Sequence, residues 1–194
     1  TQTHLTAENL RAEGRDLRQI TFPNYQSPSS ALVKMYLGGE FGQRPDDVNA
    51  YAASSFYAVD RYASYKTDWG SFYREGGLVL SDRYTTSNAV HQGSKLPEEQ
   101  LPEFFDWLYD LEYHRLGLPR PDLVLYLDVD VPTSLERMAQ RRAADGSQAD
   151  IHEKDAGYLE KCLGLGHRAA AHYGWQVIDF RRDGELLSIE DKSD

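Results

Sequence analysis

Three stretches of this chain concentrate side chains that handle anions and planar heterocycles. After the apolar run Leu78-Val79-Leu80 comes Asp82-Arg83-Tyr84-Thr85-Thr86-Ser87-Asn88-Ala89-Val90-His91-Gln92-Gly93. It gathers a carboxylate, a guanidinium, hydroxyls and amides at one strand end, the inventory that holds a phosphate and a base edge together. The plain alternative is an Asp-Arg pair on a solvated loop. A second such pair, Asp60-Arg61, follows Ser55-Phe56-Tyr57-Ala58. Tyr57 and Arg61 are four apart, so on a helix they share a face and set an aromatic plane beside a bidentate donor. That suits a heterocycle with carbonyl groups, although an aromatic covering the core with an arginine reaching outward is the more ordinary use of such a pair. The third stretch, Asp150-Ile151-His152-Glu153-Lys154-Asp155, is preceded by Arg137, Arg141 and Arg142. It lacks the two-histidine spacing of a zinc helix. Arg141 and Arg142 either close on a charged ligand or express the preference for cations at a helix C-terminus.

A scaffold must hold these groups, and the apolar periodicity outlines it. Residues 1–13 read as a helix stopped by Gly14, and Leu17 to Phe22 as a strand ended by Pro23. Ser27-Pro28-Ser29-Ser30 caps a short helix through Leu37, and Pro45-Asp46-Asp47 opens a long one to about Lys66. Another helix around Trp69 to Glu75 ends at Gly76-Gly77. The runs at 78–80 and 122–129 are short and continuously apolar, the pattern of strands buried on both faces. Between them lies the amphipathic segment Pro97 to Leu116. Helices are expected from Val131 to about Arg142 and from Ile151 to Tyr173, with a last strand at Trp175 to Phe180. Helices alternating with apolar strands give an α/β, doubly wound parallel sheet covered on both faces, in one domain spanning 1–194. Ligands of such sheets bind beyond the carboxyl ends of the strands, where Phe22-Pro23-Asn24-Tyr25 and Asp82-Arg83 stand. The polar stretch after Arg142 is the candidate mobile loop.

The composition narrows the partners. A formal net charge of -10 over 194 residues opposes adhesion to nucleic acid through the overall field, so any anionic ligand must meet a local basic site. No apolar run approaches the roughly 20 residues that span a bilayer. The one cysteine, Cys162, cannot form an internal disulfide, which fits a reducing cytoplasm.

In chain order FPNY, FYAVDRY, GGLVLSDRYTTSNAVHQG, LPRPDLVLYLDV and DIHEKD resemble thymidylate kinases, the P-loop kinases that phosphorylate dTMP with ATP and Mg2+. The likeness covers essentially the whole chain. It implies that Phe22 lies against the sugar or base, Tyr25 near the phosphate, Tyr57 on the thymine ring and Arg61 at a thymine carbonyl. Arg is common at the position of Asn24, which leaves the phosphate more dependent on Arg83. Asp82 corresponds to the carboxylate near the magnesium, Asn88 to the amide that reads N3 and O4, and Ser87 and Gln92 to pocket neighbours. His91 stands where relatives carry Tyr or Phe against the sugar. Arg137 resembles the arginine packed on adenine, and 141–150 the lid over the phosphates, with Arg141 and Arg142 as catalytic candidates beside Asp82 and Arg83. A homodimer through the helix at 46–66 is implied as well.

The phosphate cradle GxxxxGK[ST] does not occur in the 194 residues. The resemblance leads us to expect it, with the first central strand, ahead of Thr1, and to expect poor turnover without it. The alternatives are a dTMP-binding module without transfer and a deoxynucleoside kinase; the phosphate-facing Tyr25 and Arg83 speak against the latter.

Overall fold

The computed structural model describes residues 2–146, 150–152, 156–179, 181, 182, 185 and 186. Helix α1 (Gln2–Ala12) ends at Gly14, whose φ of 80° turns the chain into β1 (Leu17–Thr21). Ser27 accepts a hydrogen bond from the Ser29 backbone, starts the 3-10 turn Pro28–Ser30 and leads into α2 (Ala31–Leu37). The long helix does not open at Pro45 as expected. Pro45–Asp47 is a separate 3-10 turn, Val48 is extended, and α3 (Ala50–Ser64) starts from Asn49, whose side chain accepts from the Ala52 N–H at 2.8 Å. The π turn Tyr65–Trp69 carries α3 into α4 (Gly70–Arg74).

Strand β2 (Leu78–Asp82) precedes α5 (Thr85–His91); after two 3-10 turns comes α6 (Leu101–Tyr109), extended by the π turn Asp110–Arg115. The remaining elements are β3 (Leu125–Asp128), α7 (Val131–Asp145), α8 (Ala156–Tyr173), β4 (Gln176–Asp179) and the antiparallel pair β5 (Arg181–Arg182) and β6 (Glu185–Leu186). Helix α7 runs beyond Arg142 to Asp145, so the first residues assigned to a lid are helical; 147–149 lie outside the described residues.

Pairing is parallel, as the alternation of helices and strands requires. Leu17 faces Leu78 through to Thr21 against Asp82 in one ladder, and Leu125 faces Gln176 through to Asp128 against Asp179 in another. Among the described residues these ladders are separate two-stranded sheets rather than one doubly wound sheet. The expectation that the strands are buried on both faces fails for the same reason. Leu78, Leu125, Leu127, Val177 and Ile178 are exposed, because strand side chains point to the faces of a ladder and among the described residues these narrow ladders are not covered on both.

Burial is achieved by the helices instead. One cluster joins Phe104, Phe105 and Leu108 of α6 to Leu165 and Ala169 of α8. A second joins Ile20, Phe22, Trp69, Tyr84, Tyr113 and Leu118 beneath the first ladder, and a third packs Val33, Tyr36 and Leu37 of α2 against Ala53 and Ile151. These clusters clamp α3 and α5, the helices that carry most of the chemical side chains.

Candidate functional site

The end of β2 is held under local strain. Arg83 adopts φ 66°, a left-handed conformation that costs a non-glycine residue on the order of 1–3 kcal/mol. Ser81 Oγ donates to the Arg83 carbonyl at 2.5 Å and secures the turn. The solvated-pair alternative does not hold. Asp82 and Arg83 form no ion pair with each other, and the Arg83 guanidinium instead lies 3.4 Å from His91 Nε2, one helix later. Asp82 ends β2 half-buried, its backbone carbonyl accepting from the Phe22 N–H at 3.1 Å. That bond ties the FPNY loop to the strand end. Phe22 is 3% exposed and packs on Tyr84 within the second cluster, whereas Tyr25 stands exposed.

Arg61 does not reach outward. It is 1% exposed and makes a bidentate pair with Glu112, Nε donating to Oε2 at 2.6 Å and Nη2 to Oε1 at 2.5 Å. Burial opposes its charge, but the carboxylate outweighs that and holds Arg61 above its ordinary value. Glu112 also accepts from Thr85 Oγ1 at 2.7 Å and from Asn88 Nδ2 at 3.4 Å; that amide nitrogen donates to the Ser54 carbonyl too, at 3.2 Å. Thus α3 and α5 meet on one buried acid, and Arg61 and Asn88 are brought together by it. Tyr57, one turn before Arg61, is half-buried against the third cluster, and burial pushes its phenol up. Gln92 is buried with neither amide atom bonded to the described residues, and Ser54 Oγ is likewise without a partner. Orphaned buried amides of this kind mark places where a ligand or water completes the bonding.

His91 and His152 stack at 5.9 Å between centroids. The His152 Nε2 lies 2.8 Å from Tyr36 Oη, and Lys95 Nζ donates to that same oxygen at 2.8 Å and to the Val48 carbonyl at 2.9 Å. Tyr158 donates to the His91 carbonyl at 2.7 Å. Burial and the neighbouring cations Arg83 and Lys95 push His91 well down, and burial lowers His152 to about 4 and Lys95 to about 8. The histidines are therefore held neutral next to Arg83, and Cys162, 3.5 Å from His91 Nδ1, has its thiol pushed up by burial.

Local spacing showed Asp60 only as the neighbour of Arg61 and missed Glu112. Asp60 is fully buried and accepts from the Asn24 backbone at 2.8 Å and from Ser29 Oγ at 2.5 Å, anchoring the FPNY loop to α3. Glu112 left one trace in the sequence, a carboxylate in helical step with the apolar Phe105 and Leu108. Ser87 is half-buried on α5, Arg137 stands exposed on α7, and the side chains of Arg141 and Arg142 lie outside the described residues. No group of three or more His, Cys, Asp or Glu residues that could hold a metal occurs among the described residues.

Comparison with known proteins gives a consistent picture. The family profile described as Thymidylate kinase matches residues 1–186. The thymidylate kinase of Mycobacterium tuberculosis (strain H37Rv) is 34% identical over 168 residues, 86% of this chain and 77% of its own. That of Ruegeria pomeroyi is 27% identical over 195 residues, 98% of this chain and 85% of its own, and a probable thymidylate kinase of Pyrobaculum aerophilum is 27% identical over 165 residues, 85% and 78%.

Proposed function

We infer that this chain, which belongs to the thymidylate kinase family, is a dTMP kinase: it transfers a phosphoryl group from ATP to the phosphate of dTMP, giving dTDP for nucleotide biosynthesis. The observation that carries the site assignment is the convergence of Arg61 and Asn88 on Glu112, with Arg83 at the adjoining strand end. Arg61 and Asn88 offer one donor and one acceptor to a pyrimidine edge, Tyr57 an aromatic plane, and Arg83 a guanidinium to the phosphate. Phe22 supports this pocket from the core, with Tyr25, Ser87, His91 and Gln92 around it. The neutral state of His91 leaves Arg83 as the cation facing the phosphate.

Both nucleotides are anions, so catalysis rests on positioning and on charge stabilisation in the transition state, with no covalent intermediate. Asp82 fits a magnesium site: its carboxylate takes no hydrogen bond or ion pair from the described residues, and Mg2+ is held by about one or two carboxylates plus water and phosphate oxygens. When bound, Mg2+ supplies charge neutralisation to the transferring phosphoryl group. Arg137 is the residue we place at the adenine, and 141–150 the lid, with Arg141 and Arg142 contributing charge on closure and excluding water. The protein works as one domain, in a reducing cytoplasm, as a homodimer.

A deoxynucleoside kinase would not need a guanidinium where Arg83 stands. Arg83→Ala should lower the affinity for dTMP by about tenfold or more while leaving thymidine binding within about twofold, the loss of one charge-assisted contact. Calorimetry with both ligands measures this, and an unchanged dTMP affinity would remove Arg83 from the phosphate site.

A further inference from the structure

Glu112 does more than neutralise a buried arginine. Its carboxylate is fully buried and receives Arg61 Nε and Thr85 Oγ1 on Oε2, and Arg61 Nη2 and Asn88 Nδ2 on Oε1. A carboxylate has about four acceptor sites, so donors from α3 and α5 saturate it. The consequence for Asn88 is directional. Its Nδ2 faces Glu112 and the Ser54 carbonyl, both acceptors, at 3.4 and 3.2 Å. Turning the amide over would set Oδ1 against two acceptors and leave the amide donors unmatched, so one orientation is imposed. Arg61 is fixed in the same way, because its side-on pair with Glu112 sets the guanidinium plane and consumes Nε and one N–H of Nη2.

What remains unused is Arg61 Nη1 and Asn88 Oδ1. Neither is among the sealed, unpartnered polar atoms, a group that does include Ser54 Oγ and the Gln92 amide. Arg61 therefore keeps a free donor and Asn88 a free acceptor among the described residues, on two side chains held by the same carboxylate oxygen. A 4-oxo pyrimidine presents a carbonyl and an N3–H, which match. A 4-amino pyrimidine presents an amino group and a bare N3, which set donor against donor and acceptor against acceptor.

We propose that Glu112 is a positioning residue that fixes the donor–acceptor polarity of the base pocket and thereby selects 4-oxo over 4-amino pyrimidine nucleotides. This rests on the assignment of Arg61 and Asn88 to the base. In Glu112→Gln the replacement amide brings its own N–H group against Arg61 or Asn88, so the Ser54 carbonyl alone is left to orient the Asn88 amide and the preference for one orientation weakens. In Glu112→Asp the charge stays with Arg61 but the carboxylate withdraws by one methylene from Asn88.

The test is calorimetric binding of dTMP and dCMP to protein made from its full natural reading frame, which reads selection without turnover. Wild-type protein should prefer dTMP by about 100-fold or more, as expected of a site built around matched hydrogen bonds. Glu112→Gln should reduce that preference by about tenfold or more, chiefly by weakening dTMP. If Glu112→Gln does not fold, Glu112→Asp decides by the same ratio. A purely structural acid would weaken both nucleotides alike and leave the ratio unchanged, which overturns the proposal for Glu112 alone. Absence of any preference in the wild-type protein overturns the base-pocket assignment and the proposal with it.

Discussion

At the residue scale, local spacing picks out the residues we assign to the ligand and does not pick out the residues that hold them still. Tyr57 and Arg61 show themselves through their i, i+4 relation, and Asp82, Arg83 and Asn88 through their place after an apolar strand. Their anchors lie far away in sequence. Arg61 meets Glu112 at a separation of 51 residues and Asp60 meets the Asn24 backbone at 36, distances at which one chain carries no local signal. Asp60 tests the importance of such anchors. Asp60→Ala strips the acceptor from a backbone N–H and a hydroxyl, so unfolding free energy should fall by about 1–3 kcal/mol and KM for dTMP should rise. Chemical denaturation and steady-state kinetics measure both; an unchanged KM would separate the FPNY loop from substrate binding.

The buried histidines add a pH dependence with a defined sign. His152 is lowered from 6.5 to about 4 and His91 is also lowered, so as pH falls the unfolded chain takes up these protons before the folded one does. Stability contributed by the neutral histidines is complete above about pH 6.5 and is lost as pH falls toward 4. Asp150 favours His152 protonation, whereas Lys95, Arg83 and burial oppose it. His152→Phe removes its share, and its melting temperature should decline less than that of wild-type protein between pH 6.5 and 4. The share is on the order of 1–3 kcal/mol, and parallel profiles would show that His152 titrates normally.

At the scale of elements, periodicity located most helices and strands to within a few residues, because caps and breakers such as Gly14, Ser27 and Gly174 are local. Pro45 misled, since proline favours the first turn of a 3-10 helix as readily as that of an α-helix, and the extended Val48 hands the start of α3 to Asn49. Helix α3 carries a second message on its outer side. Val59 and Tyr62, three apart, are 52% and 39% exposed, while Arg61 and Asp60 between them point inward and are buried. An exposed apolar ridge on a helix supports the homodimer reading. Sedimentation should show a dimer for the wild-type protein and a monomer for Val59→Lys/Tyr62→Lys; a wild-type monomer would end that reading.

At the scale of the whole molecule, charge and fold resolve the conflict between an acidic protein and two anionic substrates. The net charge of -10 is spread over the chain, whereas Arg83 stands at the end of β2 beside α5 and Lys95 at the contact of Tyr36 with Val48; the charge of Arg61 is balanced by Glu112. The parallel pairing was legible from the alternation of helices and strands. How far the strands are covered was not, because burial depends on which strands become neighbours across the sheet, and the described strands form two separate ladders. The family identity reconciles these scales, since the motifs keep their order through nearly the whole chain. The central claim is dTMP phosphorylation. Its most direct test is coupled ADP release from ATP and Mg2+ by protein made from its full natural reading frame, with dTMP, dCMP or thymidine as the acceptor. ADP release that depends on dTMP and is far slower with the other two is the predicted result; release with thymidine and none with dTMP would contradict it.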